Sequence, residues 1–308
     1  LAKMRVGVTN GTNIADSVGT GITYQFVSQA VEKALESPED FVWNYIAVMF
    51  YNNQEQHSLY LNSDYSDDKR ILAVVENFEK QFEKQLGKDI TKEERLGIKK
   101  LVMQTYLRAL ALDKCADYGL EALKEFDNFF IRENTMYALL KTGRYDECLR
   151  LAKEVQDDTN PVPLYYAAAA TLESGEFDAS AEYVLELAKQ VKTSEYPKKA
   201  DELLHSYFSL LVVDTETTKA KYSLLSDEQI NKLNSDEFLK NYLEAYVNAC
   251  YPSYGGHSIY DDAYTEAMET ALAAVDQVIS ERGELCYPYY LKGVALMQQK
   301  KYDEAVAA

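Results

Sequence analysis

Gly143-Arg144-Tyr145-Asp146-Glu147-Cys148 recurs 32 residues later as Gly175-Glu176-Phe177-Asp178-Ala179-Ser180, and once more as Lys300-Lys301-Tyr302-Asp303-Glu304-Ala305. Each copy carries an aromatic residue, then aspartate, then a small residue three positions after the aromatic. Tyr260-Asp261-Asp262-Ala263 is a fourth copy, 42 residues before Tyr302, the longer interval pointing to a lengthened helix or loop in the same kind of unit. Recurrence at such a period marks an array of small supersecondary units, each too small to bury its own apolar face, stacked so that neighbours complete one another's core.

A helical hairpin explains the spacing. The aromatic at the start of a second helix plugs the wedge between two helices, and the small residue one turn later lets them approach. The preceding glycine or lysine-rich turn closes the hairpin, and Pro161 or Pro288 starts the next pair. The rest of the chain agrees. Ile71, Val74, Val75, Phe78 and Phe82 recur at three- and four-residue intervals within a helix expected over 67–86. Thr91-Lys92-Glu93-Glu94 is a capping box launching a helix through Ile98, Leu101, Tyr106 and Leu110, and Ser226 to Gln229 repeats the device. Ser37-Pro38-Glu39-Asp40 reads as a serine cap with proline at the first helical position, opening a helix through Trp43, Tyr45, Ile46 and Met49. No alternating strand or Asn-Gly hairpin stands out. The expected fold is all-α.

In the pair from Pro288, Tyr289, Gly293, Leu296, Tyr302 and Ala305 fall where tetratricopeptide repeats place aromatic, small, bulky, aromatic and small residues. Leu164, Ala168, Thr171, Phe177 and Ser180 form a more degenerate copy. Residues 130–190 and 236–308 thus resemble the tetratricopeptide family, under half of the chain. The resemblance implies a right-handed solenoid of helical hairpins over 130–308, continuing past Ala308, with 22–129 as degenerate hairpins lacking a clear signature. It also implies a concave face, lined by first helices, that binds a peptide or partner helix. In that register the groove positions are Tyr137, Leu140, Tyr165, Leu172, Tyr290, Val294 and Met297. Tyrosine, 25 of the 37 aromatic residues here, suits recognition because a rigid ring supplies contact area while its hydroxyl finds a partner; Tyr145 and Tyr302 are instead expected as core wedges. Family members that clamp a carboxylate use cations on these faces. Here Glu133 precedes the tyrosines, so an apolar peptide or amphipathic helix fits better.

Charge narrows the partners. With 50 acidic and 32 basic residues the net charge is -18, which opposes binding to nucleic acid or to an anionic membrane surface. Asp146, Glu147, Asp178, Asp303 and Glu304 fall on second helices, mostly the convex side, where they favour a soluble monomer. The glycine-, threonine- and asparagine-rich residues 1–21 read as a flexible leader. Its Asn10-Gly11-Thr12 matches a glycosylation sequon, a short pattern that arises often by chance. No apolar run spans a membrane. A cytoplasmic location is expected, the alternative being an extracytoplasmic domain anchored by a helix upstream of Leu1 and binding an envelope protein or glycan.

Candidate chemistry is sparse. The chain has no H-E-x-x-H, G-x-S-x-G or G-x-x-x-x-G-K motif and no EF-hand loop. His57, His205 and His257 read as surface or interface histidines. Gly255-Gly256-His257-Ser258 reads as a hinge, and Asp67-Asp68, Asp157-Asp158 and Asp261-Asp262 as ordinary acid pairs, two of them at helix starts. Cys115, Cys148, Cys250 and Cys286 have no metal or disulfide spacing and are expected as buried apolar side chains. Neither enzyme activity nor a cofactor is expected.

Overall fold

The computed structural model describes residues 24–52, 69–155, 159–195, 197–212, 221–250 and 262–308. Among them the regular structure is all helical, with no strand. The leader 1–21 with its sequon, His57, the 255–258 hinge, Asp67-Asp68, Asp157-Asp158, Asp261 and the side chain of Cys250 lie outside the described residues. The chain divides into two compact units, residues 1–142 and residues 143–308.

The first unit contains α1 (Tyr24–Glu36), α2 (Phe41–Asn52), α3 (Arg70–Leu86), a 3-10 turn (Gly87–Asp89), α4 (Lys92–Arg108), α5 (Leu112–Leu123) and α6 (Phe129–Lys141). The apolar stripe of α3 is its core face: Ile71, Val74, Val75, Phe78 and Phe82 are all fully buried. Phe82 packs on Phe41 of α2 with ring centroids 5.2 Å apart. Burying each such side chain stabilises the fold by roughly 1.5–3 kcal/mol. The expected capping box opens α4, Thr91 Oγ1 accepting from Glu94 N at 3.2 Å while Thr91 N donates to Glu94 Oε2 at 2.8 Å. At α2 the cap is Asp40, not Ser37. Its carboxylate accepts from Val42 N at 2.8 Å and Trp43 N at 3.3 Å, and the helix begins after the Pro38 turn.

Packing in this unit runs between helices one or two places apart in sequence: α1 on α2 and α3, α2 on α3 and α4, α3 on α4, α4 on α5 and α6, and α5 on α6.

The second unit contains α7 (Tyr145–Lys153), α8 (Pro161–Ser174), α9 (Phe177–Thr193), α10 (Lys198–Val212), a 3-10 turn (Lys221–Leu224), α11 (Asp227–Leu233), α12 (Glu237–Cys250), α13 (Asp262–Glu281), α14 (Tyr287–Gln298) and α15 (Tyr302–Ala307). Asn160 caps α8 through Val162 N at 3.1 Å with Pro161 in the first turn, and the expected Ser226–Gln229 box opens α11. Here α8, α9 and α10 pack mutually, as do α12, α13 and α14, with α15 on α14. A longer step joins α10 to α14.

The repeated hexapeptides share one backbone geometry. Gly143, Gly175 and Lys300 are left-handed at φ 76°, 85° and 61°. The residues after them, Arg144, Glu176 and Lys301, have φ/ψ of -86°/59°, -85°/63° and -87°/61°. Leu110 and Ala111 adopt the same turn in the first unit, with φ 52° followed by -85°/60°. Ala111 N donates to Tyr106 O at 2.9 Å, Glu176 N to Thr171 O at 2.8 Å and Lys301 N to Leu296 O at 3.0 Å, the six-to-one bond of a helix C-terminal motif. The step from Leu110 to Gly143 is 33 residues, and from Gly143 to Gly175 it is 32. A copy is therefore present in 22–129, where the sequence carries leucine in place of both glycine and the aromatic. Leu110, expected inside a helix, lies beyond its end.

The small residue after the turn also holds its expected place. Ser180 is buried and its hydroxyl donates to Ala168 O at 2.8 Å; Cys115 lies 4.0 Å from Met103 O, again twelve residues back. In the last pair a Cβ on Gly293 would stand 3.7 Å from Ala305 O, the same interval. The aromatic position is less uniform. Tyr145 and Phe177 are half-buried, but Tyr302 is 59% exposed and fills no wedge.

Candidate functional site

Tyr290, Val294 and Met297 lie at i, i+4 and i+7 on α14 and share one face. Tyr290 and Met297 are 60% and 59% exposed, and Val294 is half-buried. Two large apolar side chains so open on one helix face are the clearest candidate contact surface in this unit. On α8, Tyr165 is half-buried and meets the buried Tyr166 edge to face at 5.1 Å. Leu172, expected in the groove, belongs to the core at 1% exposure, where it cannot offer a surface. Of the two groove positions in the first unit, Leu140 is likewise buried at 7%, whereas Tyr137 is 39% exposed, with Lys141 Nζ 5.9 Å from its ring. The structure thus groups the three α14 residues and returns both leucines to the interior.

Beneath Tyr290 lies a cluster that sequence reasoning missed. Asp201 on α10 is buried at 1% exposure. Its Oδ1 accepts from the Tyr242 hydroxyl of α12 at 2.6 Å, and its Oδ2 accepts from Cys286 N at 3.1 Å and Tyr287 N at 3.3 Å. The carboxylate therefore sits at the N-terminus of α14, where helix dipole and free N–H groups favour an anion. Burial pushes the Asp201 carboxyl above its ordinary range, and the three hydrogen bonds oppose that push. Burial, with the adjacent carboxylate, drives the Tyr242 hydroxyl well above its usual value.

One turn along α10, His205 stacks on Tyr287 with centroids 4.2 Å apart and planes at 20°. Tyr246 and Tyr290 stand edge-on to the imidazole at 5.1 and 6.0 Å. His205 Nδ1 is buried without a hydrogen-bond partner, and burial pushes the imidazole pKa down to about 4. Of the surface or interface positions expected for it, His205 takes the second, meeting rings of α12 and α14 from α10. A signal was available: Asp201 falls on the core spacing of Leu204, Phe208 and Leu211, and an acid on a core face must find buried partners.

The remaining candidates are quiet. Cys115 and Cys148 are buried as expected, and burial holds their thiols up at about 12, far from thiolate chemistry. Cys286, expected buried, is exposed because it precedes the first turn of α14. Among the described residues no group of three or more histidine, cysteine, aspartate or glutamate side chains could hold a metal ion, and no helix is long and apolar enough to cross a membrane. Asp146, Asp178, Asp303 and Glu304 are exposed on α7, α9 and α15, and Glu147 is half-buried beside Arg144. A scan against protein-family models finds no match to the chain, and a search of curated proteins finds no relative.

Proposed function

We propose that this chain is a non-catalytic interaction scaffold: a right-handed solenoid of tetratricopeptide-like hairpins that holds a peptide or partner helix against an aromatic and apolar face. The observation that carries the reading is the α14 stripe, with Tyr290 and Met297 open to solvent on one helix face. Exposed apolar groups of this kind, rimmed by polar residues, are what a partner desolvates. Three features support the repeat architecture. The turn recurs with matching dihedrals, the twelve-residue contact recurs behind it, and packing joins mostly helices one or two places apart. The acidic exterior favours a partner whose apolar face is flanked by lysine or arginine rather than a nucleic acid.

The test is a peptide-library selection on the whole chain, repeated with a Tyr290→Ala, Met297→Ala variant. The expected result is selection of peptides with an apolar stripe, and loss of their binding in the variant while its helical circular dichroism is unchanged. Selected peptides that bind the variant as well as the wild type overturn the assignment of this face.

A further inference from the structure

The long step from α10 to α14 rests on two side chains one turn apart. Asp201 receives the first N–H groups of α14, and His205 lies flat on Tyr287 in that helix's first turn. The imidazole is also enclosed by Tyr246 of α12 and the edge of Tyr290, and its buried Nδ1 has no partner. A neutral imidazole tolerates this seat by carrying its hydrogen on Nε2 and leaving a bare lone pair at Nδ1. An imidazolium must place an N–H at the buried Nδ1, with no acceptor there, and hold its charge on a half-buried ring.

We infer that His205 is an acid-released latch: neutral, it clamps the first turn of α14 to α10, and protonated, it leaves its aromatic seat and frees that turn.

The surroundings offer a proton little compensation. On α10, Asp201 has both oxygens engaged, and Glu202 lies 3.4 Å from Lys199. The groups facing His205 from α12 and α14 are the phenols of Tyr246, Tyr287 and Tyr290, with Tyr242 turned to Asp201. Charges on the other elements packed against α10 are tied elsewhere: Glu173 of α8 to Lys221 of the 3-10 turn at 2.9 Å, and Lys192 of α9 to Asp236. Tyr222 of that turn lies near Glu244 of α12, and Tyr207 of α10 meets Ser180 of α9. The Tyr287 face returns part of the lost hydration through cation–π attraction. It supplies no hydrogen-bond acceptor.

Because burial lowers the imidazole pKa to about 4, the latched state binds protons more weakly than the open one. Its advantage is whole above the ordinary histidine value and is lost as pH falls from about 6.5 towards 4. Between about pH 7.5 and pH 5 the local opening constant should rise roughly thirtyfold. Since α14 carries Tyr290, and resting on the function proposed above, acid would also disassemble the binding face.

The test is hydrogen exchange on the intact chain, corrected for intrinsic pH dependence, at amides of 287–291 and, as an internal standard, of α8 and α9. Wild type should lose protection in the first turn of α14 at pH 5 while the standard holds, and His205→Phe, which keeps a stacking ring without a titrating group, should abolish the loss. The His205 Cε1–H proton signal should titrate below pH 5. A wild-type α14 equally protected at both pH values, an imidazole titrating at or above its ordinary value, or the same acid loss in His205→Phe each overturns the latch. The first two readouts need no variant, and none needs a partner, so failure here is separate from failure of the proposed binding face.

Discussion

The hydroxyl of Tyr242 on α12 donates to the carboxylate of Asp201 on α10 at 2.6 Å, with both side chains sealed from solvent. Through Asp201 the same contact reaches the first turn of α14, 85 residues along the chain. Asp201→Ala should therefore strand a phenol and two N–H groups at once, a loss of about 3 kcal/mol or more in chemical denaturation. The raised carboxyl pKa fixes the sign of the pH effect. The folded state binds this proton more tightly than the unfolded chain, so lowering the pH towards the raised value favours folding through this group. Asp201 and His205 thus pull in opposite directions, and removing Asp201 should make the urea midpoint fall more steeply as the pH is lowered into the carboxylate range.

Leu172 and Tyr290 separate core from surface. Leu172→Ala empties a fully packed site and should lower stability by roughly 2–5 kcal/mol. Tyr290→Ala removes a largely solvated ring and should change stability by about 0.5 kcal/mol or less. Urea midpoints measured side by side would test both.

The shared turn makes opposite substitutions informative. Gly175 sits at φ 85° with nothing within 4 Å of the position a Cβ would take, so Gly175→Ala should cost about 1 kcal/mol from backbone strain alone. Leu110 and Lys300 hold the same conformation with side chains attached, at φ 52° and 61°. Leu110→Gly and Lys300→Gly should each raise stability by about 0.5–1 kcal/mol, read as a rise in thermal midpoint.

Gly119 on α5 lies against Thr135 on α6. A Cβ there would stand 2.0 Å from Thr135 Oγ1, which is buried and bonded to Ile131 O at 2.6 Å. Gly119→Ala should cost about 1–3 kcal/mol or more from overpacking. Thr135→Ala in the same chain should recover most of it, because it removes the clashing oxygen. Equal losses in the single and double variants would contradict this account.

Local pattern carried the helical fold. The five apolar positions of α3 are all buried, and the boxes at Thr91 and Ser226 cap their helices, because three- to four-residue periodicity and first-turn hydrogen bonds depend only on near neighbours in the chain. The hexapeptides at 143, 175 and 300 likewise announced turns of one geometry, since glycine meets the left-handed demand at 143 and 175 and the aromatic-aspartate pattern that follows marks the copy at 300. The copy at Leu110-Ala111 escaped notice because a leucine tolerates the left-handed conformation only when both flanking helices hold it.

Only the tertiary structure decided which residues of each helix meet water and which meet one another. Leu140 and Leu172 occupy groove positions by register yet are buried, while Tyr302 occupies a wedge position yet is exposed. Asp201, His205, Tyr246 and Tyr287 come together from helices whose sequence separation exceeds any local period. Periodicity specifies a face within one helix. Which face of a distant helix covers it follows from packing, where apolar area and buried hydrogen-bond partners are matched across the fold.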